Sequence, residues 1–247
     1  MTAEIRQLFH LSEFSDVLRL QQAIWGFADA ELLPLRFLVV CSKIGGHVFG
    51  AYDGSQMTAF CFAIPGVKPG GRPYLHSHML GVLPRYRNSG IGRRLKLRQR
   101  EDAIARGIEL IEWTFDPLEL KNAFFNIERL GAIVRRYSVN QYGITASPLH
   151  GGLPTDRCVA EWWINSPRVK GIIGGGRLPV PKGAPATAER IAYPAEIAHI
   201  RRDDRERAGA IQQANAEKFQ SAFARGMAVT GFERGQTEGV YLLEPFA

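Results

Sequence analysis

The spacing of apolar residues predicts strands and helices that alternate along most of the chain. Apolar residues every three or four positions indicate helices, and short apolar runs between turn residues indicate strands. The expected order is strand 5–9, a helix after Ser12, a helix from Pro34 to Gly45, strands 47–52 and 57–64 joined at Asp53-Gly54, and strand 74–83. A glycine-rich turn and a basic helix follow, then strand 108–115, helix 118–130, strand 132–142 and strand 158–164. This alternation predicts an α/β fold.

The composition changes after residue 165. Residues 166–185 contain three consecutive glycines and several X-Pro steps, which predict a linker or a long loop. Beyond them, 203–225 has helical periodicity and 227–243 is expected to form a hairpin. We therefore expect a main domain at 1–165, a Gly/Pro-rich linker or long loop at 166–202, and a helix–hairpin extension at 203–247. Because the extension is too small to be stable alone, we expect it to dock on the main domain.

The overall composition is that of a globular protein. The 247 residues are 45% hydrophobic and 22% charged, which excludes a disordered or collagen-like chain. No apolar stretch is long enough to span a membrane, and Glu4 and Arg6 interrupt the start where a signal peptide needs an apolar core. Three cysteines without a C-x-x-C pair, and scattered histidines, indicate no metal site. We expect a cytoplasmic protein with no membrane partner and no metal.

Positive charge is concentrated in one segment. Residues 85–100 hold seven basic side chains and no acidic one, and removing those seven from the 31 Lys and Arg leaves 24, against 24 Asp and Glu. The formal net charge of +7 therefore comes from this segment. A nucleic-acid-binding protein would need a wider basic surface, so we expect a small anionic ligand and no nucleic-acid partner.

The same segment contains a glycine-rich turn, residues 87–92 (RNSGIG), between a predicted strand and a predicted helix. Backbone N–H groups at the start of a helix lack partners and converge where the helix dipole favours an anion. Glycine lets phosphate oxygens approach, and arginine adds charged donors. The turn is not a P-loop, since no G-K-[ST] follows, and it lacks the third glycine of a dinucleotide fingerprint. The remaining pattern is R-x-x-G-x-G after a strand.

This pattern resembles the GNAT superfamily of acyl-CoA-dependent N-acyltransferases, whose hallmark is [RQ]-x-x-G-x-[GA] after the fourth strand. The similarity covers about residues 4–165, through the order of elements and through the asparagine-bearing segment 111–142. It implies a mixed, mostly antiparallel central sheet that splays at the glycine-turn strand, with helices on both faces and the C-terminal helix and hairpin added. It also implies acetyl-CoA or another acyl-CoA as co-substrate.

The resemblance implies which residues hold CoA. The strand backbone at Leu80, Gly81 and Val82 would bind the pantetheine arm. The pyrophosphate and the adenosine phosphate would be bound by Arg87, Asn88, Ser89, Gly90, Ile91, Gly92 and Arg93. Asn122 and Asn126 lie one helical turn apart and are candidates for contacts with the pantetheine amide or the sulfur, although capping and solvent exposure also explain them.

Catalysis in this family is direct attack of a neutral amine on the thioester carbonyl, helped by a base. His76 stands where histone-type members have a glutamate base, and His78 shares its face in a regular strand, although a bulge would change that parity. Both are candidate catalytic residues, with structural histidines as the alternative. Ile127 replaces the tyrosine general acid of many members. Asp116 is a candidate for binding the substrate amine or for capping the next helix.

Two functions from different classes are compatible with these residues. We expect an acetyltransferase that acts on a primary amine of a small molecule. The alternative is a non-catalytic acyl-CoA-binding module, which the missing tyrosine and glutamate favour. Peptides, amino acids, aminoglycoside-like molecules and polyamines all provide an amine, and the side chains that select among them come from loops. The C-terminal extension is compatible with a homodimer.

Overall fold

The turn at Asp53-Gly54 joins two antiparallel strands, as the sequence predicts. Gly54 has φ +57°, a left-handed conformation that suits a two-residue hairpin loop. In the computed structural model, which describes residues 3–144, 150–175 and 188–246, this hairpin belongs to a unit that ends at Glu112. A second unit begins at Trp113. No helix in the described ranges is long and apolar enough to cross a membrane.

The first unit is a five-stranded sheet with helices packed on it. Its elements are β1 (Glu4–Gln7), α1 (Leu11–Trp25), α2 (Leu35–Lys43), β2 (His47–Asp53), β3 (Gln56–Val67), β4 (Pro73–Val82), α3 (Ile91–Ala105) and the start of β5 (Leu110–Phe115). The strand order is β1-β2-β3-β4-β5, antiparallel except for the parallel pair β4–β5. Phe60 and Phe62 pack in one apolar cluster with residues of α1 and α2, whereas Cys61 packs in another with Leu95 of α3. The alternation along β3 therefore fills both faces of the sheet.

The second unit is a mostly antiparallel sheet with its own helices. Its elements are the rest of β5, α4 (Leu120–Phe124), β6 (Ile133–Ser138), β7 (Arg157–Trp163), α5 (Pro167–Ile173), β8 (Glu189–Pro194), α6 (Ile197–Asp203), α7 (Arg205–Ala224), β9 (Met227–Arg234) and β10 (Glu238–Pro245). The strand order is β5-β7-β6-β9-β10-β8. The expected fold class, a mixed and mostly antiparallel sheet covered by helices, is confirmed.

Three of these elements, α5, β8 and α6, lie in the segment 166–202 that composition predicts to be a linker or a loop. That prediction is wrong for these residues. For α5 the reason is that a Ser-Pro pair also marks the start of a helix. Ser166 accepts a hydrogen bond from the Val169 N–H, and Pro167 takes the first helical position, where a missing N–H does no harm. Residues 176–187, which carry much of the Gly/Pro signal, lie outside the described residues.

The C-terminal helix and hairpin form where the sequence predicts them and pack within the second unit. β9 pairs with β6 at Val229 and Val134, and Phe219 of α7 stacks on Tyr137 of β6. The tail therefore shares a unit with residues 113–144 and 150–165. The domain boundaries at residues 165 and 202 remain predictions.

Candidate functional site

The glycine turn between β4 and α3 has the shape of an anion site. Asn88 and Gly90 adopt left-handed conformations, with φ +63° and +84°, and α3 begins at Ile91. A Cβ built on Gly90 would meet no atom within 4 Å, so the space beside Gly90 at the helix start is open. The backbone N–H groups of the first turn of this 15-residue helix have no intrahelical acceptor. The turn can therefore hold a phosphate group, and a side chain at Gly90 would fill the cradle.

Hydrogen bonds fasten this turn to the first unit. The Tyr86 hydroxyl donates to Asp53 Oδ2 at 2.8 Å, and Ser89 Oγ donates to the Tyr86 carbonyl at 2.5 Å. Arg87 Nε donates to the Val82 carbonyl at 3.3 Å. The loop conformation is thus set before any ligand binds, which lowers the entropic cost of holding an anion.

The end of β4 packs closely against its surroundings. A Cβ on Gly81 would lie 2.8 Å from side-chain atoms of Ile24 and Trp25 in α1, so helix packing alone explains this glycine. A Cβ on Gly92 would lie 3.5 Å from Leu80 and 3.9 Å from Val82, which are ordinary contacts. The structure thus brings the residues predicted for pantetheine next to the start of α3.

A bulge in β4 lies at the two candidate histidines. Ser77 pairs with Ala63 and Met79 pairs with Phe62, so His78 is the extra residue. The rings of His76 and His78 are 5.8 Å apart between centroids, and the His78 ring meets Phe62 edge-on at 5.4 Å. The structure thus brings the two imidazoles together.

The surroundings of His76 keep its imidazole neutral. Burial, together with smaller contributions in the same direction from His78, Lys96 and Lys68, lowers the pKa of His76 to about 4. Burial also lowers the pKa of His78. A neutral imidazole at pH 7 has a nitrogen lone pair that can accept a proton. Because the lowered pKa makes this imidazole a weak base, it would pass such a proton on to water instead of keeping it.

Glu112, which the sequence analysis did not select, lies directly opposite His76. β4 and β5 pair at only two positions, Leu75 with Ile111 and His76 with Glu112. The Glu112 carboxylate accepts from Lys68 Nζ at 2.5 Å. A charged residue within the apolar strand Leu110–Phe115 (LIEWTF) was the available signal.

A second polar group that the sequence analysis missed lies on the α3 side of β4. Lys96 Nζ donates to Ser77 Oγ at 2.8 Å and to Gln99 Oε1 at 3.3 Å, and Ser77 Oγ donates to Gln99 Oε1 at 2.9 Å. All three residues are buried. The seven basic residues of the segment therefore do not all face an anion, and Lys96 instead links α3 to the bulged strand.

Lys96 gives the stability of the protein a specific pH dependence. Burial lowers the pKa of Lys96 from 10.5 to about 7. The unfolded chain therefore binds more protons than the folded chain between pH 7 and 10.5, and stability rises with pH in that window. We expect the unfolding free energy of the wild type, relative to Lys96→Met, to rise by on the order of 3 kcal/mol from pH 7 to 10 and to level off below pH 7.

Denaturant titrations at several pH values measure this difference. Lys43→Met, which removes an exposed lysine, is the matched control and should show no such rise. A constant difference between wild type and Lys96→Met from pH 7 to 10 would contradict the lowered pKa.

Three other predicted site residues belong to the second unit. The Asp116 carboxylate accepts hydrogen bonds from the Leu118 N–H and from Arg201 Nη1, both at 2.8 Å. Burial raises the pKa of Asp116, and the charge of Arg201 opposes this by lowering it. Asn122 is exposed whereas Asn126 is 4% exposed. A π-helical turn at Phe125–Arg129, with the Leu130 N–H bonded to the Phe125 carbonyl, contains Asn126 but not Asn122.

Two further expectations concern Ile127 and metals. Ile127, at the position expected for a general acid in the related family, is fully buried and has no proton to donate. Within the described ranges, no group of three or more His, Cys, Asp or Glu side chains could hold a metal ion.

Comparisons with known proteins show the family of the chain. Residues 4–131, which are 128 of the 247 residues, match the model of the acetyltransferase (GNAT) family. No curated protein matches the chain significantly in sequence.

Solved structures share the fold. The yncA protein of Salmonella typhimurium, assigned as an acetyltransferase and solved with its cofactor acetyl-CoA, has a TM-score of 0.54 and 15% identity, covering 67% of this chain and 96% of that one. Arabidopsis thaliana NAA60, solved with a bisubstrate analogue, has a TM-score of 0.54 and 14% identity, covering 66% of this chain and 98% of that one. The ribosomal-protein-S18-alanine N-acetyltransferase of Escherichia coli has a TM-score of 0.50 and 17% identity, covering 64% of this chain and 92% of that one. At these identities the likeness shows the fold.

Proposed function

The chain belongs to the GNAT family of acetyltransferases, and from that premise we propose that it transfers an acetyl group from acetyl-CoA to a primary amine of a small molecule. One arrangement carries the proposal. A neutral His76 lies on the bulged strand β4, and an open glycine turn follows directly after that strand. The first provides a proton acceptor and the second a site for phosphate groups, and the reaction needs both.

In the proposed reaction the nitrogen lone pair of the amine attacks the thioester carbonyl carbon. The C–N bond forms as the C–S bond breaks, so that an ammonium ion and acetyl-CoA give an amide, CoA thiol and one released proton. Before the attack, His76 relays one proton from the ammonium to solvent, directly or through water, and the nitrogen gives its second proton to solvent as the amide forms. With isoleucine at position 127, the sulfur takes its proton from solvent or another donor.

The proposed CoA contacts follow the resemblance residue by residue. The backbone of Leu80, Gly81 and Val82 would hold the pantetheine arm, and residues 87–93 would hold the phosphates. The open Gly90 cradle supports the second assignment. Because Arg87 donates to the Val82 carbonyl, pantetheine would have to share or replace that bond. Contacts from Asn122 and Asn126 remain predictions, and an amine at Asp116 would have to compete with Arg201.

Calorimetric titration with acetyl-CoA, octanoyl-CoA and free CoA tests the proposal. We expect all three to bind and acetyl-CoA to be turned over, with thiol release in the presence of a panel of small primary amines. Binding without thiol release from any amine would favour a non-catalytic CoA-binding module. Absence of binding by every CoA species would contradict the proposed function.

A further inference from the structure

The side chain of Lys68 occupies a position suited to a primary ammonium group. Its Nζ donates to Glu112 Oε2 at 2.5 Å and lies 4.3 Å from the centre of the Tyr74 ring. The Glu112 side chain is 5% exposed and that of Lys68 is 26% exposed. A buried carboxylate and an aromatic face together recognise an ammonium ion by charge, hydrogen bonding and cation–π attraction.

This position adjoins the proposed base. Glu112 is paired with His76 in the β4–β5 ladder, and side chains of directly paired residues lie on the same face of a sheet. The Lys68 ammonium is also one of the groups that lower the pKa of His76. A cation held by Glu112 is therefore on the same face of the sheet as the imidazole that is to receive its proton.

Lys68 can leave this position without unfolding its loop. The loop backbone is fastened separately, by the Lys68 N–H to the Arg72 carbonyl at 2.8 Å and by the Gly71 N–H to the Lys68 carbonyl at 3.0 Å. The lysine side chain has a flexible four-carbon stem, and its ammonium group is well hydrated outside the site. When Lys68 leaves, another cation can donate a hydrogen bond to the same buried carboxylate.

We infer that Glu112 and Tyr74 form the binding site for the ammonium group of the acceptor, and that Lys68 fills this site until the acceptor displaces it. The inference rests on the proposed function and specifies its acceptor as an aliphatic primary amine. Such an amine is a cation at neutral pH and can replace the charge of Lys68. An arylamine is neutral there and cannot.

Benzylammonium tests this site, with uncharged benzyl alcohol as the control ligand. Binding is followed by NMR titration of the CoA-loaded protein. We expect Lys68→Met to bind benzylammonium about tenfold more tightly than the wild type, because the internal competitor is gone. We expect Glu112→Gln to bind benzylammonium about tenfold more weakly than the wild type. The double variant Lys68→Met/Glu112→Gln should bind it as weakly as Glu112→Gln alone. Lys43→Met should behave as the wild type, and benzyl alcohol should not distinguish the variants.

Unchanged or weaker binding of benzylammonium by Lys68→Met overturns the inference, whatever Glu112→Gln does. The CoA affinity of each variant is measured in parallel and should equal that of the wild type, which shows that the variant is folded. Loss of CoA binding in the wild type itself contradicts the proposed function. Normal CoA binding with no gain in Lys68→Met contradicts the ammonium site alone.

Discussion

Gly90→Trp is expected to weaken CoA binding at least about 100-fold, because an indole would occupy the cradle in front of α3. Nothing lies within 4 Å of a Cβ at this position, so the larger side chain meets no protein atom near its Cβ. It would extend into the space that we propose for the phosphate oxygens. Several charge-assisted hydrogen bonds to the helix start would be lost together, each contributing about 1.5–3 kcal/mol. Calorimetry with free CoA measures the loss directly.

Gly107→Trp is the matched control for this substitution. Gly107 has φ +70° and an equally open Cβ position, and it lies just beyond the other end of α3. Both variants thus carry tryptophan at a left-handed glycine, and their backbone strain is similar. Near-wild-type CoA binding by Gly90→Trp would contradict the phosphate site, as would equal losses in the two variants.

The parts of the fold that the sequence predicts are those set by nearby residues. The hairpin at Asp53-Gly54 follows from a turn preference, and the left-handed turn at Gly90 follows from a glycine placed before a helix. Both depend on a few consecutive residues, so no knowledge of the tertiary structure is needed. The helix of residues 205–224 is similarly given by its own periodicity.

The polar contacts that define the site depend on tertiary structure. Lys68 meets Glu112 across 44 positions, and Asp116 meets Arg201 across 85, so neither pair leaves a local pattern. Lys96 belongs to a run of basic residues that is expected from composition to face solvent or bind a ligand. Its position on α3 instead brings its Nζ within hydrogen-bond distance of Ser77 in β4. Sequence reasoning placed the strand and the turn correctly and had no means of pairing the charges around them.

His76→Ala is expected to lower kcat by about 100-fold while leaving the affinity for CoA unchanged, since general-base catalysis typically contributes about 10² to 10⁴ in rate. The imidazole lies on the bulged strand opposite Glu112. It is not one of the residues that we propose to bind the CoA phosphates, so its removal should not weaken CoA binding. Single-turnover kinetics with saturating amine and calorimetry with CoA separate the two effects. His78→Ala, which removes the neighbouring ring from the same bulge, should lower kcat less than tenfold if its role is to shape the surroundings of His76.

The pH dependence distinguishes a base from a structural histidine at this position. Because the pKa of His76 is lowered to about 4, its base form is fully present above about pH 5, and the rate should show no inflection near pH 6.5 from this group. His76→Gln keeps a polar side chain of similar reach but cannot accept the proton, so it should lose as much kcat as His76→Ala. Recovery of kcat by His76→Gln would mean that hydrogen bonding, rather than proton transfer, is what His76 contributes. A His76→Ala enzyme within twofold of wild type, with His78→Ala inactive, would move the base to His78.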